Sequence, residues 1–309
     1  MKINHLDRTS RISPKRADVF KIGMREWITI GQSSIQSAAR DRITTNAASL
    51  AFHWFLAIFP AVIASIGLSH LIGMSPSVLQ KVTKDASILL PTTASTPLIQ
   101  ALKTPVSSAG SGLALIAGTL TAIWSSIEAM AALEVGLDVA YEIESDKGMI
   151  GRRLKAIPLL LVTILLGGGA FLLLILGVPL SQIISGAIPV GNTEFMILFD
   201  AIRWLGAAIL IFLLLSAYFS YGPNRDISRW EWLSPGSLCT LVMWIISSIA
   251  FSFYLNDFGH SSKSYGAFAG VAVLLLWLYL TGISVLFGAE VNHELERKTA
   301  TARKTESLT

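Results

Sequence analysis

Long apolar stretches alternate with shorter polar links along most of the chain. Six of them contain few or no charged residues: 46–73, 111–135, 156–178, 196–221, 236–256 and 266–290. Crossing a hydrocarbon core about 30 Å thick takes about 20 residues of α-helix. Within lipid the backbone must satisfy its own hydrogen bonds, so each stretch predicts a helix. The pattern therefore predicts an all-α polytopic membrane protein with six transmembrane helices.

A different pattern precedes the first stretch. From Asp18 to about Arg42, apolar positions recur at three- and four-residue steps: Phe20, Met24, Trp27, Gly31, Ile35 and Ala38. This spacing is typical of an amphipathic helix. We expect it to lie in the inner headgroup region as an interfacial helix, and the alternative is a helix docked on the ends of the bundle. The predicted domains are an N-terminal tail with this helix (1–45), a membrane domain (46–292) and a second tail (293–309).

Composition and charge agree with a membrane domain. Hydrophobic residues make up 52% of the chain, charged residues 14%, and the mean hydropathy is +0.61. A soluble domain carries about 25% charged residues. The single cysteine, Cys239, lies inside the fifth stretch, which excludes an internal disulfide and a cysteine-based metal site.

The positive residues are distributed unevenly between the two sides. Lys and Arg number 19 in the segments 1–45, 136–155, 222–235 and after 290, but 4 in the links 74–110, 179–195 and 257–265. This asymmetry follows the positive-inside rule and predicts that both termini are cytoplasmic. The basic balance then indicates membrane lipids as partners, with anionic headgroups among them. No nucleic-acid partner is expected, because no basic stripe with interleaved aromatic residues lies outside the membrane. A homo-oligomer is compatible with the sequence but has no support in it.

Polar residues collect at the predicted cytoplasmic ends of the stretches. Ionisable residues in membrane helices are costly, and by default they are functional candidates. The candidate inner-face polar cluster comprises Asn46, Glu128, Asp138, Tyr141, Arg152, Arg153, Tyr221, Glu290 and Asn292.

Three interpretations of this cluster compete. In a structural one, Glu128 and Glu290 pair with nearby arginines and lock helix ends together, the candidates being Arg152, Arg153 and Arg225. In a second, the arginines bind the phosphate of a lipid headgroup. In a third, the protein is a proton-coupled carrier in which Glu128 titrates.

Other polar or flexible positions have simpler explanations beside functional ones. Asp200 and Arg203 are spaced to form an ion pair on one helix face, or to act at an outer gate. His53 suits a hydrogen-bonded packing residue or a proton relay. The glycines at 167–169 predict close helix packing or a hinge. The outer link 74–110 is either an ordered cap or a solvated loop.

Short signatures along the chain point to a known family. They are Asn46 to Phe52 with Phe59-Pro60, Trp124-Ser125, Leu137 to Tyr141, Arg152-Arg153, Tyr221-Gly222-Pro223, Pro235-Gly236, Tyr265-Gly266-Ala267, Leu276 to Tyr279 and Gly288 to Asn292. In these, over about residues 20–295, the chain resembles the YihY/BrkB family of bacterial inner-membrane proteins. It departs from the family pattern at Asp138, where asparagine is common, and at Phe52 and His53, which replace a tyrosine pair.

The resemblance implies six transmembrane helices in a bacterial inner membrane but no settled activity. The family carries a virulence-factor label, and some members have been labelled ribonuclease BN. A metal-dependent nuclease needs clustered His and carboxylate ligands, whereas the five histidines here are scattered. We therefore expect no catalytic residues, no metal, no cofactor and no enzyme activity. The expected function is a transporter or a factor that handles lipid or another envelope component, and the alternative is a non-transporting scaffold or assembly subunit.

Overall fold

A computed structural model describes residues 23–71, 111–143, 148–174, 192–224, 234–258 and 266–306. These residues form seven α-helices and no strand: α1 (Met24–Arg40), α2 (Ile43–Leu71), α3 (Ser111–Ala140), α4 (Met149–Val162), α5 (Asn192–Tyr221), α6 (Pro235–Phe258) and α7 (Gly266–Glu306). A π-helical turn, Thr163–Gly167, follows α4, and the helix then continues to residue 174. The predicted fold class, an all-α polytopic membrane protein, is confirmed.

Five helical segments in the described part of the chain are long and apolar enough to cross a membrane. They are Ile116–Ala140, Met149–Leu174, Glu194–Tyr221, Pro235–Leu255 and Gly270–Thr299. The first predicted stretch falls on α2, a continuous helix of 29 residues that is not among these five segments. The count of six therefore stays a prediction. The predicted outer link 74–110 lies outside the described residues.

Successive helices run in opposite directions, so their ends lie at two opposite ends of the bundle. We call one of these the inner end: α2, α4 and α6 begin there, and α3 and α5 end there. The largest group of buried apolar residues lies there, between α2, α3 and α7, and includes Leu50, Leu133, Leu137, Leu286 and Ala289. A packed core at this end holds the polar residues around it in fixed positions.

Two small residues bring α6 and α7 into close contact at the inner end. A Cβ atom on Gly288 would overlap the Thr240 hydroxyl and the backbone of Gly236, and one on Gly236 would overlap the Gly288 carbonyl. Both positions therefore need glycine because the backbones touch there. We refer to this contact as the α6–α7 seam.

The glycine-rich part of α4 packs against α5. A Cβ on Gly167 would lie 3.3 Å from a methyl carbon of Leu214. At the start of the π turn, the Thr163 hydroxyl lies 2.7 Å from the Tyr218 hydroxyl and donates to the Leu159 carbonyl at 2.7 Å. These contacts fit the packing interpretation of the glycines, and the π turn adds a local irregularity that the sequence pattern did not predict.

Helix α1 docks on the last part of α7. Ile30 packs with Val291 and Leu295, and the Ser37 hydroxyl donates to the Glu294 carboxylate at 2.9 Å. The exposed side of α1 carries an apolar row formed by Met24, Ile28 and Ile35. Ala38, which the sequence pattern places with Met24, is buried in the docked face. One face of α1 is therefore docked on the bundle, as the alternative prediction had it. That the exposed apolar row lies at the bilayer surface stays a prediction.

Candidate functional site

A cavity of about 220 Å³ lies at the inner end between α2, α3 and α4. Polar side chains from all three helices line it, and small residues of α3 form its floor. The lining residues are Asn46, Ser49, His53, Glu128, Ala131, Ala132, Val135, Gly136, Met149, Arg152 and Arg153. Four of the nine residues in the predicted inner-face cluster therefore share one cavity: Asn46, Glu128, Arg152 and Arg153.

Helix α2 contributes neutral polar groups from one face. The Asn46 side-chain amide donates to the Asp41 carbonyl at 3.1 Å, which fixes the asparagine at the turn before α2. The His53 Nδ1 lies 2.8 Å from the Ser49 carbonyl oxygen. A carbonyl can only accept, so Nδ1 carries a hydrogen in this contact. This local bond favours the packing interpretation of His53, although its ring also borders the cavity.

Helices α3 and α4 contribute an ion pair. Arg153 Nε lies 2.6 Å from Glu128 Oε1, and the two side chains are 30% and 29% exposed. The Arg153 guanidinium carbon also lies 4.6 Å from the ring centroid of Trp124, within cation–π range. Arg153 is thus held from two sides by residues one helical turn apart on α3.

Arg152 has different surroundings from its neighbour. Within the described part of the chain it forms no ion pair, and its buried Nε has no hydrogen-bond partner. The described residues that line the cavity therefore include two guanidinium groups and one carboxylate, so one positive charge has no counter-charge among them. A buried donor without an acceptor is destabilising unless a ligand or water supplies one.

Exposed apolar side chains surround the cavity. Phe52 on α2 is 54% exposed, Trp124 on α3 is 55% exposed, and Met149 and Ile150 at the start of α4 are 72% and 75% exposed. Exposed apolar residues on a membrane helix are suited to contact lipid chains. The charged cavity thus lies beside an apolar surface.

Two further acidic residues of α3 hold the end of α5. Glu134 is fully buried and lies 3.4 Å from the ammonium nitrogen of Lys155, which also donates to the Gly222 and Pro223 carbonyls at 3.0 and 2.8 Å. Asp138 accepts a hydrogen bond from the backbone N–H of Asn224 at 2.7 Å. Asp138, predicted for the cluster, therefore belongs to a helix-end contact rather than to the cavity.

Asn292 has a capping role at the α6–α7 seam. Its side-chain oxygen accepts from the Gly236 N–H at 2.8 Å, and its amide donates to the Ser234 hydroxyl at 2.6 Å. Ser234 itself precedes Pro235, the first residue of α6, and its hydroxyl accepts from the Ser237 N–H at 3.4 Å. Ser234 thus caps the start of α6, and Asn292 of α7 reinforces the cap.

Glu290 lies in a separate group of charges between α7, α1 and the end of α3. It is fully buried, and neither carboxylate oxygen has a hydrogen-bond partner among the described residues. Its charged neighbours are Asp41, Arg40, Glu294 and Glu142. Arg40 pairs with Asp41 at 3.1 Å and with Glu142. The pKa of the Arg40 guanidinium is raised above its usual value, first by the hydrogen bond to Asp41 and then by the charges of Asp41 and Glu142.

The two tyrosines of the predicted cluster lie apart from the cavity. Tyr141 is buried in the core, and its ring centroid lies 5.8 Å from that of His293. Tyr221, the last residue of α5, is 40% exposed. Of the arginines proposed as partners, Arg225 lies outside the described residues. Away from this end, Arg203 and Asp200 form the expected pair at 3.1 Å.

Some of these residues were not predicted from the sequence. Lys155 is the cation of the Glu134 contact, and Ser37 and Glu294 join α1 to α7. The four-residue step from Glu134 to Asp138 does indicate one face of α3. Nothing in one sequence tells which helix that face meets. Among the described residues, no group of three or more His, Cys, Asp or Glu side chains is arranged to hold a metal ion.

The fold and the site together define a polytopic α-helical membrane protein with a charged cavity at one end. Comparison with known proteins then identifies its family. The family model described as virulence factor BrkB matches residues 34–308. The chain therefore belongs to the virulence factor BrkB family.

Relatives with curated descriptions agree with a membrane protein. A putative ribonuclease-like protein, YfkH, of Bacillus subtilis (strain 168) is 28% identical over 82% of this chain and 90% of its own length. A UPF0761 membrane protein of Methylibium petroleiphilum is 24% identical over 89% of this chain and 67% of its length. Another, from Bordetella petrii, is 38% identical, but over 25% of this chain and 17% of its own length. No solved structure matches the chain.

Proposed function

We propose that the protein is a transporter or lipid-handling factor that binds an amphipathic component of the cell envelope at the inner end of its bundle. The observation that carries this proposal is the cavity between α2, α3 and α4, which Arg152 lines and in which no described residue forms an ion pair with it. A site that keeps an unbalanced positive charge is suited to an anionic group. The exposed apolar residues beside it are suited to the apolar part of the same molecule.

The location proposed for the protein is a bacterial inner membrane with both termini in the cytoplasm. The distribution of Lys and Arg supports this orientation. It would place the cavity at the level of the cytoplasmic leaflet, whose anionic lipids attract positive charge. We propose no enzymatic role, since the site offers a binding surface rather than a paired nucleophile and base.

The ion pair of Glu128 with Arg153 favours a binding site over a carrier driven by titration of Glu128. The Glu128 carboxylate lies 2.6 Å from Arg153 Nε and therefore serves to hold that guanidinium in the cavity.

A scaffold or assembly subunit is the second candidate, and a specific observation favours it. Asp138, Glu134 and Asn292 all bind the ends of neighbouring helices. Polar residues in these contacts stabilise the bundle and need no ligand. If the cavity residues had the same role, their loss would destabilise the protein and affect no transport.

A reconstitution experiment distinguishes the two candidates. The protein is placed in vesicles containing a fluorescent phosphatidylglycerol, and movement of this lipid between leaflets is measured by chemical quenching from outside. We expect protein-dependent movement that falls at least about tenfold in Arg152→Gln. The matched control is Arg25→Gln, which removes an exposed arginine of α1 outside the cavity. Movement that is absent with the wild-type protein, or equal in both variants, would contradict the proposal.

A further inference from the structure

The charges in the cavity limit the class of headgroup that it can bind, if the proposed function is right. Arg153 pairs with Glu128, so among the arginines and carboxylates of the described lining one positive charge, that of Arg152, is left. A phosphodiester carries one negative charge and balances it. A phosphomonoester carries about 1.5 to 2 negative charges near pH 7 and would leave an excess. Charge balance matters more here than in water, since a partly dehydrated site strengthens every electrostatic interaction.

The geometry of Arg152 suits a phosphate oxygen. Its guanidinium is a planar group with five N–H donors that matches the spacing of phosphate oxygens. The buried Nε lacks an acceptor among the described residues. A phosphate in the cavity would place a negative charge beside the Arg152 guanidinium, which lines it. Arg153 is less suited to this role, because Glu128 already lies beside its Nε and Trp124 lies against its guanidinium.

The size of the cavity admits a headgroup. Its volume of about 220 Å³ is well above the space that one water molecule needs. That is room for a phosphate and a small polyol such as glycerol. Asn46 and Ser49 border the same space with an amide and a hydroxyl, which bind hydroxyl groups. The acyl chains would lie outside, against the exposed Phe52, Trp124 and Ile150.

We propose that the cavity binds the monoanionic phosphodiester headgroup of a polyol lipid, with Arg152 as the ligand of the phosphate. The shared chemistry is a phosphodiester with a neutral polyol. Its source is either a membrane lipid or a soluble glycerophosphodiester, and the apolar surface beside the cavity favours the lipid.

Native mass spectrometry in detergent tests the headgroup class. The full-length protein is mixed with equal amounts of phosphatidylglycerol, phosphatidic acid and phosphatidylethanolamine of identical chain composition. We expect phosphatidylglycerol to be retained at least about fivefold over either of the others. Arg152→Gln should remove this preference, Arg152→Lys should keep part of it, and Arg25→Gln should leave it unchanged. Retention that is equal for the three lipids, or insensitive to Arg152→Gln, would overturn the proposal, as would a preference for phosphatidic acid.

A competition arm separates the two sources of the phosphodiester. Glycerophosphoglycerol, the headgroup without acyl chains, is added to the protein–lipid complex. The lipid source predicts displacement only above about a hundredfold excess, whereas displacement at equal concentration would overturn it in favour of a soluble ligand. Thermal unfolding of each variant in the same detergent shows that a lost preference does not come from lost folding.

The outcomes of this experiment and of the reconstitution experiment are independent. Selective retention of phosphatidylglycerol without lipid movement would support the headgroup class and contradict a transport function. Lipid movement without headgroup preference would support the function and overturn the headgroup class.

Discussion

The α6–α7 seam and the α2–α3–α4 cavity lie at the same end of the bundle, but their polar side chains have different roles. In the seam, Asn292 uses both side-chain atoms to cap α6, and Gly236 and Gly288 remove the space between the backbones. In the cavity, Arg152 keeps a charge that no described residue balances. The difference indicates that a polar residue near a helix end can hold the fold or remain open to a ligand. Depth in the membrane alone does not distinguish the two.

The largest loss of stability is expected from Gly288→Ala in the seam. The added methyl would overlap the Thr240 hydroxyl and the Gly236 backbone, so the helices must separate. Overpacking of this kind costs about 3 kcal/mol. Gly168→Ala is the matched control, since a Cβ there meets nothing within 4 Å. Thermal unfolding in detergent should show a clearly lower Tm for Gly288→Ala alone, and equal Tm values for the two variants would refute close contact in the seam.

A slightly smaller effect is expected where a buried carboxylate holds the end of α5. Lys155→Met removes the cation beside Glu134 and the donor to two carbonyls. Breaking a buried pair costs about 3–5 kcal/mol, and because Lys155 is 22% exposed we expect about 2–3 kcal/mol. The double variant Glu134→Gln/Lys155→Met should recover part of the stability in a double-mutant cycle. Strict additivity would show that the two side chains do not interact.

A moderate effect is expected from Asn292→Ala. The variant leaves the Gly236 N–H without its acceptor and the Ser234 hydroxyl without its donor. Loss of a helix cap costs about 1–2 kcal/mol. Gln32→Ala, which truncates an exposed amide on α1, is the control and should unfold like the wild type. Neither Asn292→Ala nor Gln32→Ala should alter lipid retention, which would set the seam apart from the cavity.

The smallest effect on stability is expected in the cavity. Arg152→Gln removes a charge without breaking an ion pair among the described residues, so the free energy of unfolding should change by less than about 0.5 kcal/mol. Thermal unfolding without added lipid is the measurement. A large drop in Tm would place Arg152 with the structural residues and remove the contrast between the two regions. A stable variant that no longer retains phosphatidylglycerol would confirm that contrast.

The fold was largely predictable because the bilayer restricts its solutions. Apolar stretches of about 20 residues become helices whatever their neighbours, and five of the six predicted stretches coincide with helices that can cross a membrane. The sequence also predicted the pair of Asp200 with Arg203, since the two residues are one helical turn apart. What it could not predict is the rotation of each helix about its axis. Therefore Asn46, Glu128, Arg152 and Arg153 share a cavity while Asp138 and Asn292, at a similar depth, face other helices.

The sequence also could not predict contacts between segments that lie far apart in the chain. Ser37 meets Glu294 across 257 positions, and Lys155 meets Gly222 across 67. No spacing rule links such residues, since their approach follows from tertiary packing. The residues of the docked face of α1 could not be predicted for the same reason, because nothing local to Ser34 and Ser37 shows that they are buried.

The π turn at Thr163–Gly167 changes which residues before and after it share a helix face. A π turn accommodates one residue more than an α-helix over the same rise, so the residues before and after it fall out of phase by about 100°. A single wheel drawn through 149–174 would therefore place Arg152 and Gly169 on the wrong relative faces. Two wheels, joined at the turn, give the correct azimuths. When homologous sequences are aligned, a one-residue gap within 163–167 should be read as the conversion of this turn to regular helix rather than as an alignment error.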